Sequence, residues 1–96
     1  MIYRFRLYVL GETNRSARAI EQLRTLCAAR LGTEVGIDVV DLHADPDRAD
    51  DARIVATPTL DRLEPGPLVR VIGDLSSEEL ATVLELPDHP DPRTGG

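Results

Sequence analysis

The first half of the chain changes from one hydrophobic period to another. Apolar and charged residues alternate from Ile2 and the run becomes wholly apolar up to Leu10, which predicts a strand over residues 2–10. Apolar residues then recur at helical spacing, which predicts a helix over 14–31 that ends at Gly32. The apolar positions of this helix are Ile20, Leu23, Cys27 and Leu31. A β-branched run predicts a second strand over 34–42, parallel to the first.

The second half begins with a proline that suits a helix start. Asp45-Pro46 predicts a short helix over about 46–53, because proline is tolerated at the first helical position and the aspartate can cap. Residues 59–63 and 68–72 are then predicted as two strands, joined by Glu-Pro-Gly-Pro. This turn predicts an antiparallel hairpin.

A third helix is predicted after the hairpin, capped by Ser76 or Ser77 and ending before Pro87. Its apolar side is predicted to carry Leu80, Val83 and Leu84. Residues 87–96 are rich in proline, charge and glycine, which predicts a disordered tail after a single domain over 1–86. The predicted order is βαβαββα, which favours an α/β sandwich of the thioredoxin-like kind.

Composition and charge exclude several kinds of partner. The chain has 96 residues and a formal charge of -6, and all 11 of its basic residues are arginine. With only 3% aromatic residues, it offers no broad basic surface and few rings to stack on bases, so a nucleic-acid partner is not expected. No apolar run approaches the roughly 20 residues of a membrane span, and the charged N-terminus differs from a signal peptide. We therefore expect a cytoplasmic protein without a membrane partner.

The sequence offers no catalytic constellation and no cofactor or metal site. Thiol chemistry needs an activated cysteine and usually a second one two residues away at a helix start, but residues 14–17 are Asn-Arg-Ser-Ala. Cys27, the only cysteine, lies on the predicted apolar side of the first helix and is interpreted as a core residue. The aspartates between Asp41 and Asp51 lack calcium-loop spacing, and His43 and His89 are too far apart in sequence to suggest a zinc site.

Two arginines mark the start of the first helix. Arg15 and Arg18 lie where the helix dipole disfavours a cation by about 0.3–1 kcal/mol each. They either face water or form, with the free helix amides, a positive patch for acidic side chains of a partner protein.

The Thr57-Pro58 bond precedes a predicted strand. Only about 5–6% of such bonds are cis by default. In a thioredoxin-like fold Pro58 would occupy the place of a cis proline that faces the turn of the first helix; an ordinary trans strand start is the alternative.

Three segments together resemble the KaiB family of circadian clock proteins. They are LYVLGETNRSARAIEQL, DVVDLHADPDRADDARIVATPTL and VRVIGDLS. The resemblance as a whole spans about residues 5–77. The resemblance implies a non-enzymatic module that binds a KaiC-type ring ATPase and, in clocks, captures a KaiA-like partner. It also implies fold switching between a tetrameric ground fold, ordered βαββααβ, and the monomeric thioredoxin-like fold.

The resemblance assigns roles to particular residues. Arg18, Arg53, Arg62 and Arg70 match basic positions of the family and join Arg15 as partner-contact candidates. The fold-change candidates are Thr57, Pro58, Pro65, Pro67, Gly73 and Asp74.

The chain departs from the family pattern at two places. Gly66 replaces the middle proline of the family's proline run, and the third helix ends before Pro87, well short of the longer C-terminal segment of clock proteins. Loss of that segment should weaken the packing that supports the tetrameric ground fold. We therefore expect the thioredoxin-like form at rest, with a dimer or tetramer as the alternative.

Three different functions are also compatible with the sequence. The first is a thiol oxidoreductase on the same fold. The second is a sensor-type domain like that of clock histidine kinases, with a histidine-kinase partner. The third is a structural subunit that only oligomerises.

Overall fold

The computed structural model describes residues 2–90 and contains the predicted order of elements. The thioredoxin-like order βαβαββα is thus confirmed. The elements are β1 (Tyr3–Val9), α1 (Asn14–Leu31), β2 (Val35–Asp41), α2 (Asp47–Ala52), β3 (Thr59–Glu64), β4 (Val69–Ile72) and α3 (Ser77–Val83).

The strands form one four-stranded sheet in the order β2-β1-β3-β4. β1 is parallel to β2, as the crossover predicts, and antiparallel to β3, which pairs antiparallel with β4. One row of the sheet is charged across every strand, because Arg6 lies between Asp38 and Asp61, and Asp61 in turn faces Arg70. Arg6 and Arg70 each pair with a neighbouring carboxylate in this row.

The larger core lies between one face of the sheet and the helices α1 and α3. Its fully buried side chains include Phe5 from β1, Leu23 and Cys27 from α1, and Leu84 just after α3. A smaller cluster on the other face joins Tyr8, Val40 and Leu42 to the short helix α2. Both faces of the sheet are therefore covered at the carboxyl end of β1.

The helix ends confirm some predictions and correct others. Both ends of α1 lie where the helical spacing predicts them, and Thr13 caps the helix by accepting a hydrogen bond from the Ser16 amide. Ser76 caps α3 in a reciprocal pair with Glu79. The predicted Asp45 cap of α2 is wrong, because Pro46 is the N-cap and no side chain makes a capping hydrogen bond.

The predicted apolar side of α3 is also partly wrong. Val83 is 44% exposed, whereas Ala81 is buried with Leu80 and Leu84. Val83 is the last residue of the helix, and its side chain lies outside the core.

Part of the predicted tail lies beyond the described residues, which end at Pro90. At its beginning, Arg30 Nη1 donates to the carbonyl of Pro87 and the carboxylate of Asp88, each at 3.4 Å. The boundary at residue 86 and the disorder of 87–96 stay predictions. Among the described helices, none is long and apolar enough to cross a membrane.

Candidate functional site

The turn between β1 and α1 is fixed by a carboxylate from β2. Asp41 Oδ1 accepts hydrogen bonds from the amides of Gly11 at 2.8 Å and His43 at 2.9 Å. Gly11 has φ +73°, a conformation that side-chain-bearing residues rarely adopt. These hydrogen bonds lower the pKa of Asp41 below its ordinary value, the one from the Gly11 amide most and the one from the His43 amide next. Asp41 therefore positions the start of α1, a role that its place in an acidic segment did not reveal.

Two hydroxyl groups face each other at the start of α1. The Thr13 hydroxyl donates to Ser16 Oγ at 3.1 Å, and Thr13 Oγ1 accepts from the Ser16 amide at 3.1 Å. Ser16 is only 7% exposed. Thr13 and Ser16 have the spacing of a Cys-x-x-Cys pair at a helix start, one residue earlier than the predicted frame 14–17.

A groove of about 330 Å³ lies beside these hydroxyls. We call it the turn groove, and it is lined by Val9, Leu10, Thr13, Arg15, Ser16, Thr57 and Pro58. The Thr57-Pro58 peptide bond is cis and faces the start of α1, as expected for this fold. The Gly73 amide donates to the Pro58 carbonyl at 2.9 Å, which attaches the end of β4 to the same place.

Arg15 and Asp74 form an ion pair at the edge of the turn groove. Arg15 Nη2 lies 2.9 Å from Asp74 Oδ2, and both side chains are more than 60% exposed. Of the predicted site residues, the structure thus brings together Arg15, Thr57, Pro58, Gly73 and Asp74. Their partner-binding and fold-change roles stay predictions.

One exposed apolar side chain lines the turn groove and a second lies close to it in sequence; neither was predicted to be exposed. Leu10, which lines it, is 55% exposed. Val55, two residues before Thr57, is 84% exposed. The run of apolar residues through Leu10 suggested a strand end, but only the tertiary structure shows that this side chain faces solvent. Exposed apolar side chains beside a groove are typical of protein contact surfaces.

Arg18 and Arg53 are exposed, and neither makes an ion pair or a side-chain hydrogen bond within residues 2–90. Arg18 lies one turn along α1 from Arg15. Arg53 follows the last residue of α2 in a left-handed conformation with φ 56°, and its amide binds the carbonyls of Ala49 and Asp50. Both guanidinium groups are available to a partner.

Arg62 is buried, and Arg70 is half-buried with its guanidinium bound internally. Arg62 is 4% exposed and its Nη1 donates to the Leu84 carbonyl at 2.6 Å. Arg70 binds both oxygens of Asp61 at 2.7 Å, and this hydrogen-bonded pairing raises the pKa of Arg70. This burial argues against a direct partner contact by Arg62 in this fold, and Arg70 is occupied by internal contacts.

Pro65 and Pro67 lie apart from the turn groove, in the loop that joins β3 to β4. Both follow cis peptide bonds. The Pro67 carbonyl accepts from Arg62 Nη2 at 3.4 Å. Gly66 between them has open space where a side chain would begin.

Cys27 is 1% exposed within the larger core, which confirms its interpretation as a core residue. Burial raises the pKa of its thiol to about 11. Reactive cysteines have lowered pKa values and access to solvent, so Cys27 does not supply the thiolate that an oxidoreductase needs. Across residues 2–90 no group of three or more metal-ligating side chains lies close enough together to hold a metal ion.

The sequence is similar to one known protein family over most of its length. The sequence profile of the KaiB domain matches residues 6–86. The circadian clock protein KaiB3 of Synechocystis sp. is 39% identical over 74 residues, which is 77% of this chain and 72% of that protein. The circadian clock oscillator protein KaiB of Parasynechococcus marenigrum is 39% identical over 77 residues, covering 80% of this chain and 74% of that protein.

Solved structures confirm the thioredoxin-like fold. The N-terminal domain of Synechococcus elongatus SasA superposes with a TM-score of 0.63 at 23% identity, covering 88% of this chain and 85% of that domain. Thioredoxin-2 of a malaria parasite gives a TM-score of 0.71 at 15% identity, with 88% and 82% coverage. At these identities the likeness is one of fold.

Proposed function

Because the chain belongs to the KaiB family, we propose that it is a non-enzymatic interaction module that docks on a KaiC-type ring ATPase in clock-related or stress signalling. The family match over residues 6–86 carries this proposal, since it extends from within β1 to beyond α3. The match therefore includes the turn groove together with Arg15, Arg18 and Arg53.

The docking surface is proposed to combine the turn groove with the exposed cations of α1 and α2. The molecule is acidic overall, with a formal charge of -6, so unpaired guanidinium groups are local positive charges on a negatively charged protein. Arg18 and Arg53 would pair with carboxylates of the ATPase, which steers association and fixes the orientation of the partners. Exposed Leu10 and Val55 would supply apolar contact beside these charges.

Arg15 would take part by exchanging one carboxylate for another. Its ion pair with Asp74 is exposed on both sides, and such pairs contribute only about 0–1 kcal/mol. A carboxylate of the partner can therefore replace Asp74 at small cost. The loop that follows β4 would stay attached through the Gly73 amide, which donates to the Pro58 carbonyl, and through Gln22, which donates to the Leu75 carbonyl.

Charge reversal tests the surface directly. The variant Arg18→Glu/Arg53→Glu should bind the cognate ATPase at least about tenfold more weakly, because favourable charge pairs across the interface become repulsive. Binding would be measured by titration calorimetry in the presence and absence of nucleotide.

Arg24 offers a matched control. It is exposed on α1 and makes no ion pair within the described residues, but it lies almost two turns beyond Arg18. Arg24→Glu should bind as the wild type does. If the double variant kept wild-type affinity, or Arg24→Glu weakened binding as much, the proposed surface would be wrong.

A further inference from the structure

The helices α2 and α3 are too short to be stable alone. They contain 6 and 7 residues, whereas isolated helices shorter than about 12–15 residues are marginal in water. Neither has a basic residue in its last turn to offset the negative end of the helix dipole. Each therefore depends on contacts from elsewhere in the fold.

Arg70 provides such a contact for α2. Its Nη1 donates to the carbonyl of Ala52, the last residue of α2, at 2.9 Å. The rest of its guanidinium is held by the carboxylate of Asp61, directly across the β3–β4 pair. Asp61 is buried, at 3% exposure, whereas the Arg70 side chain is 27% exposed, so only the carboxylate of this pair is shielded from water. One guanidinium thus joins β3, β4 and the carboxyl end of α2.

Arg62 makes the corresponding contact for α3 on the opposite face of the sheet. Its Nη1 donates to the carbonyl of Leu84, the C-cap of α3, at 2.6 Å. The nearest acid, Glu85, is 3.7 Å away and 78% exposed, and the buried Nε has no hydrogen-bond partner among the described residues. Burying a guanidinium that is so weakly neutralised costs desolvation free energy. The hydrogen bonds that Arg62 donates to carbonyl groups therefore have to offset this cost.

The two contacts are independent in geometry. Asp61 and Arg62 are consecutive on β3, so their side chains point to opposite faces of the sheet. We propose that the β3–β4 hairpin latches the two short helices separately, Arg70 with Asp61 holding α2 and Arg62 holding α3.

The α2 latch also sets the position of Arg53. Ala52, whose carbonyl Arg70 binds, immediately precedes Arg53. Arg70 is therefore a positioning residue for the docking surface, where the sequence had suggested a partner contact. This consequence, unlike the latch itself, rests on the proposed function.

Paired variants separate the two latches. Asp61→Asn/Arg70→Met removes the α2 latch without leaving a buried carboxylate unpaired, and Arg62→Met removes the α3 latch. Hydrogen exchange reports on each helix through its own amides. Those of Arg53 and Ile54 bind carbonyls within α2, and those of Leu84 and Leu86 bind carbonyls within α3.

The α2 variant should lower the protection of the Arg53 and Ile54 amides by about tenfold or more, the factor expected for a lost hydrogen bond to a charged group. The amides of Leu84 and Leu86 should keep wild-type protection. Arg62→Met should give the reverse pattern. Amides of β1 serve as the reference for global unfolding in both variants.

Equal loss at both helices in either variant, or wild-type protection at the latched helix, would overturn the proposal. If the methionine variants do not fold, Arg70→Lys and Arg62→Lys give the same comparison. A lysine keeps the charge but concentrates its donors on one nitrogen, so it cannot span the carboxylate and the helix carbonyl as the planar guanidinium fork does, and partial loss at the matching helix is expected.

Binding to the cognate ATPase tests the positioning of Arg53. The α2 variant should bind about as weakly as Arg53→Ala, whereas Arg62→Met should bind more tightly than either. If Arg53→Ala weakens binding and the α2 variant does not, the positioning claim fails and the proposed function stands. If the wild type does not bind, the proposed function fails, and hydrogen exchange still decides the latches.

Discussion

The ion pair between Arg15 and Asp74 accounts for an arginine that is unfavourable in its own helix. The helix dipole disfavours a cation in the first turn of α1 by about 0.3–1 kcal/mol. The carboxylate of Asp74, 59 residues later in the chain, offsets this by pairing with Arg15. The sequence marked both residues for separate reasons, and only the fold shows that they form one pair.

The close approach of the Thr13 and Ser16 hydroxyls predicts that cysteines placed at these two positions form a disulfide. Because these side chains point at each other with oxygens 3.1 Å apart, Thr13→Cys/Ser16→Cys should form an intramolecular disulfide in oxidised glutathione. Mass spectrometry of the non-reduced peptide would detect it. When reduced, the variant should be about 1 kcal/mol less stable, since the N-cap hydroxyl is lost.

Thr13→Cys alone is the control for this experiment. It should form no internal disulfide, because the remaining cysteine, Cys27, is buried in the core. Two free thiols in the oxidised double variant would show that the side chains do not face each other as described.

Asp41 predicts a pH dependence of stability. Its pKa in the folded protein lies below the ordinary value of 3.8, so its charged form favours folding. That contribution is complete above about pH 4 and is lost as the pH falls through the folded pKa. Asp41→Asn should therefore be less stable than the wild type at neutral pH, and the difference should shrink on acidification. Urea unfolding at neutral pH and at about pH 3 would measure it.

Asp51 supplies the matched control. It is exposed on α2 and its side chain makes no ion pair within the described residues, so Asp51→Asn changes the net charge equally without touching the turn. A difference between Asp41→Asn and the wild type that stayed constant with pH would contradict the assigned role of the carboxylate.

At the scale of elements, α1 was predicted most securely, whereas α2 was located within one residue at each end from a weak local pattern and with the wrong cap. Helical spacing over 18 residues and the glycine after it define α1 from sequence alone. The helix α2 has no buried residue and no side-chain cap, so its local pattern is weak. Its stability comes from Ala49, Ala52 and Ile54 packing on the smaller cluster and from Arg70, contacts that are distant in sequence.

Arg62 and Arg70 were expected to contact a partner because they match basic positions of the resembled family. Arginine is seldom buried in proteins unless it is paired, so the family match alone did not indicate internal roles. Here, the carboxyl ends of two helices lie over the hairpin and supply carbonyl acceptors. No local pattern in the sequence announces that arrangement.

The helix α3 gives a prediction at this scale. Ser76 is the N-cap, so Ser76→Ala should lower the free energy of unfolding by about 1 kcal/mol. Ser77→Ala should be nearly neutral, because the Ser77 hydroxyl has only a long 3.4 Å contact with Gln22. Urea unfolding of both variants would distinguish the two serines, and equal losses would contradict the assignment.

For the whole molecule, the fold was predictable because strand and helix periods alternate clearly and the Pro-Gly-Pro turn marks a hairpin. The candidate site was predictable only in part. Its groove forms where β1, the start of α1 and the Thr57-Pro58 bond meet, and Leu10, which follows the last residue of β1, lines this groove while remaining 55% exposed. Periodicity cannot indicate a partner, and the kind of partner that we propose rests on family membership.

The conformation in solution is a prediction at this scale. Burial of Asp61, Arg62 and their partners requires the β3–β4 hairpin between α2 and α3, so we expect this fold to be the resting one. Nuclear Overhauser effects should connect the paired residues Leu7 and Leu60 and the pair Asp61 and Arg70. Spectra of the ground-fold order βαββααβ would contradict this expectation.

The central claim is that the protein docks on a KaiC-type ring ATPase without performing chemistry of its own. Titration of the purified cognate ATPase with the wild-type protein, followed by light scattering and calorimetry with and without nucleotide, tests it most directly. The account predicts a saturable complex that the Arg18→Glu/Arg53→Glu variant weakens. No complex under any nucleotide condition, with the protein folded, would contradict it.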